Sequence, residues 1–192
     1  MKKIAIINGH PDAGSFNSAL ANAYKEGAGN SGAEIREIIV REISFDPNLQ
    51  FGYRKKLDWE PDLVRAWEAI RWADHLVWIH PVWWGGLPAI TKGFIDRLFL
   101  PGLAFKYRGK SVWWDKLLQG KTAHIITTMD QPGWYYRIFF GRPSINQLKK
   151  SVLEFCGVKP VKVTIIGIVK TATAEQREKW LAKVYRLGAG KK

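Results

Sequence analysis

Cysteine is almost missing from this sequence: Cys156 is the one example in 192 residues. No internal disulfide can form. No activating pattern surrounds the thiol, so a buried structural role is expected. Long apolar runs are missing too, and nothing approaches the roughly 18 to 20 residues of a membrane span. The opening Met-Lys-Lys-Ile-Ala-Ile-Ile-Asn8 starts like a secretion signal, but Asn8, His10 and Asp12 cut its apolar part short. It reads as a first strand, and a cytoplasmic location is expected. There is no G-x-G-x-x-G dinucleotide fingerprint, no P-loop and no G-x-S-x-G nucleophile elbow. The four histidines, His10, His75, His80 and His124, lack ligand spacing, so no metal site is expected. Acidic residues are scarce, with 17 Asp plus Glu against 30 Lys plus Arg, a net charge of +13. Such a charge suits phosphate-bearing cofactors, nucleic acid or anionic surfaces, or simply a solvated face. The basic residues are spread along the chain and no recognition motif accompanies them, which argues against nucleic acid.

What is present is alternation. Apolar strand-like runs fall at residues 3–8, 33–40, 75–80, 122–128 and 161–166. Helical patterns fall between and after them, at 16–28, 61–73, 88–99, 143–155 and 174–187. This predicts an α/β domain spanning 1–192, with a parallel sheet covered by helices on both faces. Continuous apolar runs such as Ile4-Ala-Ile-Ile7 fit strands buried on both sides. Two long loops, 41–60 and 101–120, are candidates for functional or interfacial roles.

Three strand ends carry the chemistry. The first is Gly9-His-Pro-Asp-Ala-Gly-Ser-Phe-Asn17, where Ser15 is a natural helix cap and the helix start can hold a phosphate without basic side chains. A plain capping turn is the other reading. The second is His80-Pro-Val-Trp-Trp-Gly-Gly-Leu-Pro88, which runs into a helix expected to begin at Pro88. Two tryptophans on a tight loop at a strand end suit a planar aromatic ligand. The third is Thr127-Thr-Met-Asp-Gln-Pro-Gly-Trp-Tyr-Tyr-Arg137, whose hydroxyls and aromatics could edge a flat ring. In the sheet order 2-1-3-4-5 these three loops gather around the switch point, where flavin mononucleotide binds in this architecture.

These motifs, with Leu103-Ala-Phe-Lys-Tyr107 and Leu153-Glu-Phe-Cys-Gly157, resemble the flavodoxin-fold NAD(P)H:quinone oxidoreductases. That family includes the quinone reductases and the bacterial modulator-of-drug-activity proteins. The resemblance spans nearly the whole chain and is most specific from Pro81 to Phe99. It implies a flavodoxin-like three-layer sandwich with a five-stranded parallel sheet in the order 2-1-3-4-5. It implies that His10, Ser15, Phe16 and Asn17 contact the phosphate and ribityl chain of FMN or FAD. Pro81, Val82, Trp83 and Trp84 would line the ring, and Thr127 and Thr128 would approach its polar edge. Trp84, Phe105 and Tyr107 would form the substrate pocket, the last two from the partner subunit of a homodimer. Trp113 and Trp114 are candidate interface anchors. Tyr135 would be catalytic. The sequence departs from the family where Met129 and Asp130 replace two glycines, where Trp83 replaces a glutamine, and where Gly141 replaces a catalytic histidine. Arg137 or Arg142 is the candidate substitute for that charge.

The implied activity is two-electron, ping-pong reduction of a quinone or similar flat acceptor, with NAD(P)H as donor. The rivals are a flavodoxin-like electron carrier, which the positive charge disfavours, and an ancillary regulatory flavoprotein.

Overall fold

The computed structural model describes residues 1–55, 57–109 and 111–190. Strand β1 (Lys3–Asn8) leads into helix α1 (Phe16–Asn30), and β2 (Glu34–Ile39) follows. Helix α2 (Pro61–Trp72), β3 (His75–Pro81) and α3 (Ala89–Leu98) come next. A short hairpin, β4 (Phe105–Tyr107) and β5 (Trp114–Lys116), precedes β6 (Thr122–Thr128). Then come α4 (Gly133–Ile138), α5 (Pro143–Asn146), a π-helical segment Gln147–Glu154, β7 (Val161–Ile166) and α6 (Ala174–Gly188).

The main sheet has the order β2-β1-β3-β6-β7, and every pairing in it is parallel. This is the expected 2-1-3-4-5 order counted over the five main strands. Alternate residues of each strand serve two cores. Ile4, Ile6, Val77, Ile79 and Ile126 pack under α1 and α6. Ala5, Ile7, Leu76, Trp78 and Ile125 pack under α2 and α3. Full burial of an aliphatic side chain of this size contributes about 1.5–3 kcal/mol. Helices α1 and α6 cross at two glycines: a β-carbon on Gly27 would lie 2.0 Å from the Tyr185 carbonyl oxygen, and one on Gly188 would lie 2.2 Å from that of Tyr24.

Element boundaries shift little from expectation. Pro88 is the cap of α3 and not its first helical residue. The expected helix over 143–155 begins as one α turn and continues with π geometry, a form concentrated at functional sites. The loop over 101–120 contains the β4–β5 hairpin. The loop over 41–60 is pinned to α3 by Arg97, which is buried and donates to Glu60 at 2.8 Å and to the Asp46 and Asp58 carbonyls. Trp59 adds an indole N–H to the Arg97 carbonyl at 2.7 Å. Burial alone would raise the Glu60 pKa, but the bonds from the Asp46 N–H and from Arg97 bring it below the ordinary value.

No helix among the described residues is long and apolar enough to cross a membrane. Cys156 is buried, and burial raises its pKa to about 12, so the thiol stays protonated.

Candidate active site

Strands β1, β3 and β6 are neighbours, and their carboxyl ends bring the three loops together. The chain adds strands to one side of β1 with β2 and to the other with β3, so the switch point and its crevice lie between β1 and β3. Asn8 pairs in register with Ile79, and Pro81 with Thr128.

The first loop is tightly built. The Gly9 N–H donates to the Ile79 carbonyl at 2.8 Å. The Thr91 hydroxyl donates to the Gly9 carbonyl at 2.6 Å, and a β-carbon on Gly9 would collide with that same hydroxyl. Helix α3 therefore holds the loop down. Asn8 accepts from the His10 N–H at 3.1 Å. The Asp12 N–H donates to His10 Nδ1 at 3.0 Å, so the neutral ring carries its proton on Nε2. Burial lowers the His10 pKa, Asp12 opposes that, and nearby Arg41 lowers it further. At neutral pH His10 is therefore a neutral donor, and its ring stands edge-on to Trp83 with centroids 5.5 Å apart.

Ser15 caps α1, accepting from the Ser18 N–H at 3.3 Å. The first turn of α1 contains no acidic residue. The positive helix end and the N–H groups of Phe16 and Asn17 thus face the loop without competition. The Phe16 ring turns away, against Trp180 and beneath the Arg177 guanidinium. Asn17 is buried, its Oδ1 accepts from the Thr128 hydroxyl at 2.7 Å, and its Nδ2 has no partner among the described residues. A buried amide left this way calls for an acceptor.

The second loop is a two-residue turn closed by Trp83 and Gly86, whose N–H and C=O groups bond reciprocally at 3.1 and 2.8 Å. The central residues have positive φ, 50° at Trp84 and 74° at Gly85. This is the type I′ geometry that normally selects Asn-Gly. A tryptophan at φ 50° is strained and, here, wholly exposed. The turn presents an indole where packing alone gives no reason for one.

The third loop begins with two buried threonines. Thr127 donates to the His80 carbonyl at 3.0 Å and Thr128 to Asn17. Their protons are thus committed inside the protein, and the two residues tie the three strand ends together. Tyr135 is half-buried against Phe139 and Phe140. Trp134, Ile138, Phe139 and Phe140 are exposed around it.

Sequence reasoning missed Tyr136. It is buried, donates its hydroxyl to the Gly85 carbonyl at 3.0 Å and accepts from the Ser144 N–H at 3.0 Å. The same Ser144 N–H reaches the Gly85 carbonyl at 3.0 Å. His80 lies beneath, fully buried, with Nε2 3.3 Å from the Ser144 hydroxyl and its pKa lowered by burial to about 3. Adjacent tyrosines give no pattern that says which one points inward.

Phe105 and Tyr107 are not brought to this group. They line a separate cleft of about 310 Å³ with Leu87, Gln147, Val152 and Phe155. Trp113 is exposed, whereas Trp114 stacks on Phe155 at 4.3 Å. Arg142 takes φ 55° just before α5, and Arg137 is exposed in the last turn of α4. No group of three or more His, Cys, Asp or Glu side chains suited to a metal ion occurs among the described residues.

The loops at β1, β3 and β6, on a sheet of this order, have counterparts in known proteins. Residues 2–186 match the flavodoxin-like fold family. The chain belongs to that family. Among curated relatives, an uncharacterized NAD(P)H oxidoreductase of Haemophilus influenzae is 29% identical over 84% of this chain and 82% of its own length. The human ribosyldihydronicotinamide dehydrogenase [quinone] is 26% identical over 94% of this chain and 88% of its own. Among solved structures, Smu.1420 from Streptococcus mutans UA159 is 34% identical with a TM-score of 0.86, covering 99% of this chain and 100% of that one. The NAD(P)H:quinone oxidoreductase of Methanothermobacter marburgensis, 24% identical over 97% of this chain and 95% of its own, shares the fold with a TM-score of 0.82.

Proposed function

We propose that this flavodoxin-like chain is a flavin-dependent NAD(P)H oxidoreductase that reduces quinones or similar flat acceptors by two electrons. The observation that carries the reading is the partnerless Asn17 amide, buried at the start of α1 where the three loops meet. It fits a polar ligand that also takes up the open N–H groups of the helix start. The names of the curated relatives, an NAD(P)H oxidoreductase and a quinone dehydrogenase, support the same reading.

In this reading His10 Nε2–H, Ser15 and the N–H groups of Phe16 and Asn17 hold the flavin phosphate and ribityl chain. Pro81, Val82, Trp83 and Trp84 line the ring. Thr127 and Thr128 fix the strand ends, with only their oxygen lone pairs left to offer. Tyr135 is the catalytic side chain, supplying a hydrogen bond where negative charge develops. The bound flavin supplies the hydride chemistry, and the protein supplies position and electrostatics. Donor and acceptor use the same aromatic shelf in turn, which gives ping-pong kinetics. Phe105 and Tyr107 serve the site of a second copy, in a homodimer.

The test is the visible spectrum of purified protein incubated with FMN or FAD, desalted, and then treated anaerobically with NADPH. Retained flavin that bleaches is expected, and the flavin retained identifies FMN or FAD. Retained flavin that stays oxidised would favour an electron carrier or a regulatory subunit. No retained flavin would overturn the proposal.

A further inference from the structure

Residues far apart in the sequence make one basic cleft at the edge of the sheet. It has a volume of about 510 Å³ and is lined by Arg142, Lys149, Lys150, Lys162 and His124, with no carboxylate among its lining residues. Lys183 adds charge nearby, since it and Lys162 both depress the His124 pKa, after burial. Two walls have unusual backbone: Arg142 is left-handed, and Lys149 and Lys150 lie in the π-helical segment. The floor is β7, which pairs with β6 on one side only.

The direction of the unpaired groups on β7 follows from the ladder. The Ala123 N–H bonds the Pro160 carbonyl, and the Met129 N–H bonds the Ile166 carbonyl. In a parallel ladder this sets Lys162, Thr164 and Ile166 toward β6. Val161, Val163 and Ile165 therefore turn their N–H and C=O groups outward. Among the described residues those groups have no hydrogen-bond partner. The edge offers donors and acceptors in the alternation of a strand. An isolated phosphate would meet the carbonyls as well as the N–H groups, whereas an extended peptide matches both.

We infer that the β7 edge is a docking site for an acidic polypeptide segment that adds to the sheet as a sixth strand. Val161 is buried, so main-chain bonds to Val163 and Ile165 give affinity, and the flanking cations select acidic side chains. A chain with net charge +13 presenting Arg142, Lys150 and Lys162 on this face, beside a Lys149 that pairs with Glu154 at 3.9 Å, disfavours a second copy of itself there.

The experiment uses the full chain and a fluorescein-labelled decapeptide of alternating glutamate and valine, followed by fluorescence anisotropy. Saturable binding is expected, weakened at least tenfold when Lys149, Lys150 and Lys162 are changed together to alanine. Val163→Pro removes an outward N–H and no bond to β6, and it should weaken binding at least tenfold. If that variant fails to fold, the same peptide N-methylated at alternate residues should fail to bind the unaltered protein. Charge-dependent binding indifferent to both Val163→Pro and N-methylation would overturn the inference and leave a general polyanion patch. A single-stranded oligonucleotide that binds more tightly than the peptide, or a peptide that does not bind, would overturn it too.

Discussion

The Tyr136 hydroxyl and the Gly85 carbonyl are joined at 3.0 Å, and this bond ties α4 to the tip of the tryptophan turn. Tyr136→Phe removes the donor and also deprives the Ser144 N–H of one acceptor. A loss of about 1–2 kcal/mol is expected in urea unfolding. Flavin retention after desalting should fall with it, because the turn loses one of its two tethers and keeps only the Ser144 N–H bond. Unchanged stability and retention would mean that Pro81–Gly86 is held by its own hydrogen bonds.

Trp84 sits where Asn is the ordinary choice. Trp84→Asn should raise unfolding stability by about 1 kcal/mol, the cost of a strained left-handed residue. Acceptor turnover should fall at the same time. A variant that gained stability and kept full activity would show that the indole has no part in catalysis.

Tyr135 and Tyr136 should separate cleanly. Tyr135→Phe should leave the unfolding free energy within about 0.5 kcal/mol of the parent, as for a half-exposed position. It should slow flavin bleaching by NADPH about tenfold or more. Stopped-flow absorbance measures this, and an unaltered rate would remove Tyr135 from the mechanism.

Gly27→Ala should separate α1 from α6, because the added carbon has no room against Tyr185. The gain in helix propensity is about 1 kcal/mol, and the overlap costs up to about 3 kcal/mol. A net loss near 2 kcal/mol is expected, read from denaturant midpoints.

Three buried histidines make the fold acid-sensitive. Burial is the leading cause at each, and it lowers His75 and His80 to about 3 and His124 to about 4. Their folded pKa values lie below the unfolded value of 6.5, so unfolding takes up protons beneath it. Stability should be flat above pH 7 and decline from about 6.5 down to the folded pKa values. With all three titrating, the slope reaches about 4 kcal/mol per pH unit. Midpoints that held steady down to pH 5 would contradict the burial of these rings.

The five main strands were legible because each carries clustered isoleucine and valine, continuous in β1 and β3 and broken by charged or polar residues in β2, β6 and β7, and the three strand-end loops because their residues stand in one stretch each. The β4–β5 hairpin was not, since Phe105–Tyr107 and Trp114–Lys116 are too short to carry a period. Helix α4 was also hidden: its aromatics face several directions and leave no apolar stripe. The basic cleft was invisible for a different reason. Arg142, Lys149 and Lys162 look scattered along the chain, and only the passage of the π-helical segment beside β7 puts them together. The open amide of Asn17 depends on what Thr128 does across the sheet, a pairing 111 residues apart.

The interlock of Gly27 with Gly188 bears on how the protein is made. Helix α6 is made after every other element of this fold, yet it packs on α1, the first helix of the fold. Until α6 arrives, Gly27 and Ala28 lack the segment around Tyr185–Ala189 that packs on them, and Phe16 at the helix start lacks Trp180. The nascent chain must therefore keep that face from premature association through most of its translation. A chain stopped short of α6 would be a substrate for quality-control proteases even though every loop of the candidate active site had already been synthesised.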